Sequence, residues 1–233
     1  MKICVFAYNF PHKKSVDGIL RLYLEKYKIN FIIFMNKINL QNPKKIIPTT
    51  IKDISHPNPR ILAKKLKIPY KIMQHNSKKC IQILKESKFD LGIILGARIL
   101  IPEVINAFKI GILNLHPGIL PENRGLDTCQ YAVLNNWPQG ATAHLIESKI
   151  DRGKIILKKK INIYKEDSIK DFYLRIQNLE LSLMIQSLKR IKINKKIGKY
   201  SKQQGEYHSH IKNEQEKIII DNLEKYKDKF KKH

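Results

Sequence analysis

The chain has 233 residues and carries 45 Lys and Arg against 20 Asp and Glu, a formal net charge of +25. That length holds one α/β domain with an appendage, and 42% apolar content fits a soluble globular protein; no apolar run nears the roughly 18 residues that cross a bilayer. The charge alone would admit nucleic acid or an anionic surface, but Lys is scattered among Ile and Asn, with no Arg-rich block, ribonucleoprotein motif or zinc-finger spacing. Coding bias explains that pattern most simply, and nucleic acid is not expected as the principal partner.

Residues 3–7 read as a first strand rather than a signal peptide. Residues 16–27 carry apolar side chains at helical spacing, and 30–35 form a second strand. The stretch 36–58, rich in Lys, Asn and Pro, reads as loop. A short helix follows over 59–67, and Asn76 is the expected cap of a longer one over 77–88. Residues 91–95 form a buried strand that ends at Gly96-Ala97-Arg98. A helix over 102–108 leads to an apolar strand over 110–113, and 126–135 is helical. Residues 141–147 and 154–163 alternate and pair as late strands. Asp167 or Ser168 caps a long amphipathic helix reaching residue 191.

Strands alternating with helices predict an α/β fold over residues 1–191, a Rossmann-like, mainly parallel sheet flanked by helices. Residues 192–233 read as a Lys-rich C-terminal extension with a helical pattern over 214–232 and no room for a second full domain. There Tyr207-His208 is either a substrate contact or a plain surface turn. Cys4, Cys80 and Cys129 are odd in number and far apart, which fits a reducing cytoplasm and neither a disulfide framework nor a zinc site. No base lies near Cys129 in sequence, so a catalytic thiol is not expected there.

The chemistry concentrates in Asn114-Leu115-His116-Pro117-Gly118. Two apart on a strand, Asn114 and His116 face the same way, and Pro117-Gly118 ends the strand. An amide and an imidazole thus share a strand's carboxyl end, where open α/β sheets place their sites. A second cluster, Ser148 to Gly153, closes another strand and supplies the Asp151 carboxylate. Taken alone, Asn-x-His reads more simply as a capped turn with a satisfied histidine.

Three motifs together change that reading. Asn114 to Gly125, then Gly140-Ala-Thr-Ala-His144, then Ile150-Asp151-Arg152-Gly153 resemble the folate-dependent formyltransferases in order and spacing. The clear resemblance spans residues 91–163. It implies the formyltransferase fold, N10-formyltetrahydrofolate as co-substrate, no metal, and Asn114, His116 and Asp151 as catalytic residues. In formyl transfer an amine attacks the formyl carbon, and a donor aimed at the forming oxyanion is worth roughly 3 kcal/mol. Asn114 and His116 carry such donors. His116 either accepts the amine's proton or polarises the carbonyl, depending on a tautomer that sequence does not give. Asp151 would hold the imidazole or a bridging water.

The resemblance also implies folate against Leu95, Gly96, Ala97, Arg98 and Ile99, with Arg98 meeting carboxylates or standing as a solvated charge. It places Pro117, Gly118, Arg124, Gly125 and His144 on the acceptor side, although His144 also reads as a packed strand histidine. Asn9, His12, Lys13 and Lys14 follow the first strand, where they face sugar or phosphate or form an exposed basic loop.

Neither the Gly-Ser-rich loop of glycinamide ribonucleotide formyltransferases nor the Gly-Thr-Pro signature of the transfer RNA enzymes is present. Asn123-Arg124-Gly125 and Trp137-Pro138-Gln139-Gly140 instead resemble the branch that formylates nucleotide-linked amino sugars for surface polysaccharides. The expected partner is a small-molecule acceptor of that class, and the extension packs over the core or makes a small acceptor or homodimer contact. A glycinamide ribonucleotide or methionyl-tRNA enzyme, a formyltetrahydrofolate deformylase and a non-catalytic basic binding protein stand as alternatives.

Overall fold

The structure, a computed structural model, describes residues 1–39, 45–47, 55–194, 197–203 and 205–231. Part of the stretch expected to be loop, 40–44 and 48–54, lies outside the described residues. The strands are β1 (Ile3–Tyr8), β2 (Ile29–Met35), β3 (Tyr70–Ile72), β4 (Leu91–Ile94), β5 (Gly111–His116), β6 (Arg124–Gly125), β7 (Gly140–Leu145), β8 (Lys154–Lys160) and β9 (Tyr207–His208). The helices are α1 (Lys13–Leu24), α2 (Pro59–Lys65), α3 (Lys78–Ser87), α4 (Pro102–Ile105), α5 (Thr128–Leu134), α6 (Ile169–Ile193) and α7 (Asn213–Phe230).

One sheet runs in the order β3-β2-β1-β4-β5-β7-β8. It is parallel from β3 through β5 and antiparallel at β7 and β8. Its faces follow from the two-residue period of the strands. Cys4 and Phe6 of β1 pack with Cys80 and Leu84 of α3 and Val104 of α4. Val5 and Ala7 point the other way, into a core shared with Ile19 and Leu22 of α1 and Leu188 of α6. A sheet covered on both faces needs strands that are apolar throughout, and β1 and β4 are so. Strand order reverses between β1 and β4, which opens a crevice at the strands' carboxyl ends.

Several expected boundaries move for local reasons. The first helix starts at Lys13 because the His12 side chain accepts from Ser15 N–H, although His is not a usual cap. Ser77 rather than Asn76 caps α3. The Asn76 amide instead ties the turn after β4, donating to Ile99 O at 2.9 Å and accepting from Ile101 N–H at 3.2 Å. Helix α4 is a single turn, shorter than 102–108. Ser168 caps α6, and Asp171 accepts its N–H at 2.8 Å. Strands β3, β6 and β9 have two or three residues each, too few for alternation to show in sequence.

Beyond α6 the chain folds back over the turn that follows β5. Strand β9 pairs with β6, and α7 packs on α5. Tyr226 Oη donates to Trp137 O at 2.7 Å, and buried Glu216 accepts from Ile46 N–H at 2.6 Å. Tyr207-His208 is therefore a strand rather than a turn, with the His208 ring stacked on Tyr131 at 4.3 Å between centroids.

Candidate active site

Strand β5 runs three residues further than its apolar stretch because β7 continues to pair with it. Asn114 stands opposite His144, and His116 opposite Thr142. Asn114 Nδ2 lies 3.1 Å from His144 Nε2. His116 is 3% exposed, and its Nε2 lies 2.7 Å from the Asn123 carbonyl oxygen. A carbonyl only accepts, so Nε2 carries the ring proton and the neutral imidazole offers a bare Nδ1. Asp151 Oδ1 is 3.6 Å from that Nδ1, within ion-pair reach and just beyond a direct hydrogen bond. The same oxygen lies 3.7 Å from His144 Nε2. The three residues expected to be catalytic thus come together, with His144 as a buried fourth.

The turn after β5 holds this cluster in place. Asp151 sits at φ +52°, and its Oδ2 accepts from Gly125 N–H at 3.0 Å. Arg124 donates to Ile150 O at 2.6 Å and to Gly205 O at 2.7 Å, which fixes the chain beside Asp151. Residues 123–125 therefore position both His116, through Asn123 O, and Asp151, through Gly125 N–H. Asn123 is held in turn by donating to Thr128 O at 2.7 Å, and Thr128 Oγ1 donates to Pro117 O. At Gly118 a Cβ would come within 2.7 Å of Asn123 O and 3.0 Å of His116 Nε2. At Gly125 a positive φ of +98° and a Cβ 2.1 Å from His208 O exclude any side chain. Pro117, Gly118, Arg124 and Gly125 are thus the frame of the cluster. A cavity of about 190 Å³ borders Arg124, Asp151 and Arg152.

Burial pushes His144 down to about 4, against the pull of Asp151 and with the added push of His116 and Lys14. Its ring is neutral at pH 7, and an Nε2 lone pair can accept from the Asn114 amide. That uses one of the two Asn114 amide protons, and Asn114 is only half-buried. Burial raises the Cys129 thiol far above its usual range, so no thiolate stands near the site.

The residues expected at the β1 end each have a partner within the protein. His12 caps α1, and burial, then Lys14 and His56, push it down to about 4. Lys13 pairs with Asp17 one helical turn on. Asn9 donates to Asn36 Oδ1 at 2.7 Å. Lys14 turns inward to Leu115 O and Glu180, each at 2.8 Å, rather than facing a ligand. In the turn after β4, Leu95 belongs to the core; its N–H donates to Phe6 O and its carbonyl accepts from Ser15 Oγ. Gly96 lies against the Tyr8 ring, and Tyr8 Oη donates to Ala97 O at 2.9 Å. Arg98 and Ile99 are exposed there.

Sequence reading missed Asn123, which acts through a carbonyl that no side chain signals. It also missed Glu180, a buried acid on α6 between Ile176 and Leu183. A lone carboxylate at an apolar position of an amphipathic helix was the available signal.

The family model described as formyl transferase matches residues 32–188. Methionyl-tRNA formyltransferase of Fusobacterium nucleatum is 27% identical over 180 residues, 76% of this chain and 56% of that protein. Phosphoribosylglycinamide formyltransferase of Haemophilus influenzae is 34% identical over 102 residues, 43% of this chain and 48% of that protein. The chain spans 35% to 56% of the length of the first curated relatives it matches. A sugar N-formyltransferase from a Shewanella species superposes with a TM-score of 0.64 at 21% identity, covering 94% of this chain and 87% of that one. The formyltransferase PseJ from Anoxybacillus kamchatkensis, solved with UDP-4,6-dideoxy-4-formamido-L-AltNAc and tetrahydrofolate, gives 0.58 at 23% identity, covering 94% and 90%. Phosphoribosylglycinamide formyltransferase of Streptococcus pneumoniae gives 0.62 at 21% identity, covering 82% and 98%. At such identities the structural likeness establishes the fold.

Proposed function

The chain belongs to the formyl transferase family, and on that premise we propose that it moves a formyl group from N10-formyltetrahydrofolate to the amine of a nucleotide-linked amino sugar. The observation that carries this reading is the cluster in which Asp151 faces a bare His116 Nδ1 and His144, with Asn114 bonded to His144.

When bound, the folate supplies the formyl carbon that the acceptor amine attacks. The second N–H of Asn114 donates to the formyl oxygen as that oxygen gains negative charge, an effect of roughly 3–4 kcal/mol on the barrier. His116 takes the amine's proton at Nδ1. Its Nε2–H is committed to Asn123 O, so the ring acts as base rather than as oxyanion donor. Asp151 stabilises the imidazolium that results, and the ring returns that proton to N10 of the leaving tetrahydrofolate as the bond between N10 and the formyl carbon breaks. The exposed Ile99 and Arg98 suit the folate, the first as apolar surface for a flat ring system and the second as a cation for carboxylates. Gly96, Ala97 and the buried Leu95 support that turn from below.

Support for a sugar acceptor comes from the extent of the likeness. The sugar enzymes' fold covers 94% of this chain, against 82% for the purine enzyme. The extension beyond a catalytic domain of 1–191 joins the site's own turn where β9 pairs with β6. A surface-polysaccharide precursor and a cytoplasmic setting go with this reading. The curated relatives support methionyl-tRNA and glycinamide ribonucleotide equally as the second reading, at 34% identity over 110 and 102 residues respectively.

The test is folate absorbance during incubation with N10-formyltetrahydrofolate and one acceptor at a time. The acceptors are dTDP-, GDP- and UDP-linked amino sugars, glycinamide ribonucleotide, methionyl-tRNA and water. Turnover confined to amino-sugar nucleotides is expected. Turnover confined to another acceptor replaces the substrate, and no turnover with any rejects formyl transfer.

A further inference from the structure

We propose that Lys14 and Glu180 are a positioning pair that holds the carboxyl end of β5 where β4 no longer reaches it. The proposal rests on the formyl-transfer reading above. Ile146 N–H donates to Ile112 O at 2.9 Å, so the even-numbered carbonyls of β5 point at β7 and the odd-numbered ones toward β4. Strand β4 stands beside Leu113, through Ile93, and ends one residue later. The next two amides, of Leu95 and Gly96, both turn to Phe6 O on β1. Among the described residues, the Leu115 carbonyl, between Asn114 and His116, thus has no strand beside it on the β4 side.

Lys14 Nζ fills that place. It donates to Leu115 O and to Glu180 Oε1, each at 2.8 Å, from the second residue of α1. Glu180 is 3% exposed in the middle of α6. A buried carbonyl and a buried carboxylate would each be unfavourable alone, and one ammonium satisfies both. Burial raises the Glu180 carboxyl, and the charges of Lys14 and His116 pull it partly back, so the pair lies close enough to the site to feel it. Asn114 and His116 flank Leu115, so a strand end free to tilt would misplace both at once. A shift of about 1 Å in such groups costs about a hundredfold in rate.

Lys14→Met alone would leave Glu180 buried without its cation and is expected to fold poorly. The informative variant is Lys14→Met/Glu180→Leu, which replaces the ion pair with apolar contact. Its melting temperature should stay within about 4 °C of wild type. Its kcat should fall by about a hundredfold, with KM for both substrates nearly unchanged. Amide hydrogen exchange at Asn114, Leu115 and His116 should quicken. Lys14→Arg with Glu180 intact should recover much of the rate. Wild-type kcat in the double variant overturns the proposal, as does a loss of activity that only tracks a loss of folded protein. Exchange is read without substrate. Unchanged protection at 114–116 therefore rejects the clamp even if wild type proves inactive, whereas an inactive wild type with quickened exchange rejects only the formyl-transfer reading.

Discussion

At the carboxyl end of β1, Asn9 bonds Asn36, His12 caps α1 and Lys13 pairs with Asp17. At the carboxyl end of β5, Asn114, His116 and the facing Asp151 are also held, but as one cluster joined through Asp151 and His144. Asn114 keeps a second amide proton, His116 keeps Nδ1, and Asp151 keeps Oδ1 toward that nitrogen while Oδ2 takes Gly125 N–H. Both clusters are polar and both sit where α/β sheets place ligands. The difference teaches that position alone does not make a site. A side chain becomes reactive when fixing it leaves free the atom that chemistry needs.

The largest break in that comparison is expected at His116 and Asp151. Loss of the charge that stabilises the His116 imidazolium in Asp151→Asn should lower kcat by about 10²–10⁴ while the Gly125 contact persists. His116→Ala should lose as much rate, and it also bares the buried Asn123 carbonyl, at roughly 1–3 kcal/mol of stability. Steady-state kinetics beside thermal melts separates the two effects. Asn114→Ala should follow, with kcat down about 10²–10³ and the acceptor KM little changed.

Acid should treat both ends alike. Burial holds His12, His75 and His144 at about 4 in the folded chain. Unfolded, each titrates near ~6.5. The unfolded chain therefore takes up protons first, so stability present above about pH 6.5 is lost as pH falls toward 4. Melting temperature should fall steadily across that window. His75→Gln, away from both clusters, should make the fall shallower; a flat profile would contradict neutral burial of these rings.

The smallest effects should come from the β1 end. His12→Ala removes a helix cap and should cost about 1 kcal/mol of stability, with kcat within about threefold. Lys13→Ala should be near neutral in both, as exposed ion pairs contribute roughly 0–1 kcal/mol. A hundredfold loss of kcat in Lys13→Ala at unchanged melting temperature would erase the contrast between the two ends.

Much of this was legible in the sequence because it is local. The continuous apolar runs of β1, β4 and β5 set the sheet, and Asn114, His116 and Asp151 stand in short motifs whose order resembles the family's. What was not legible joins distant residues or uses backbone. Asp151 meets Gly125 across 26 positions, and Lys14 meets Glu180 across 166. Asn123 acts through its carbonyl, and His12 as a cap looks the same in sequence as His12 facing a phosphate. Residues 207–208 read as a contact or a turn, because a two-residue strand has no periodicity to reveal it.

The account turns on which nitrogen of His116 is free. Nitrogen NMR of the His116 ring in its uncharged form assigns the tautomer directly. The proton should sit on Nε2, against Asn123 O, with Nδ1 bare toward Asp151. A proton resident on Nδ1 would leave the ring no base on the side of the cluster and would contradict the proposed proton transfer.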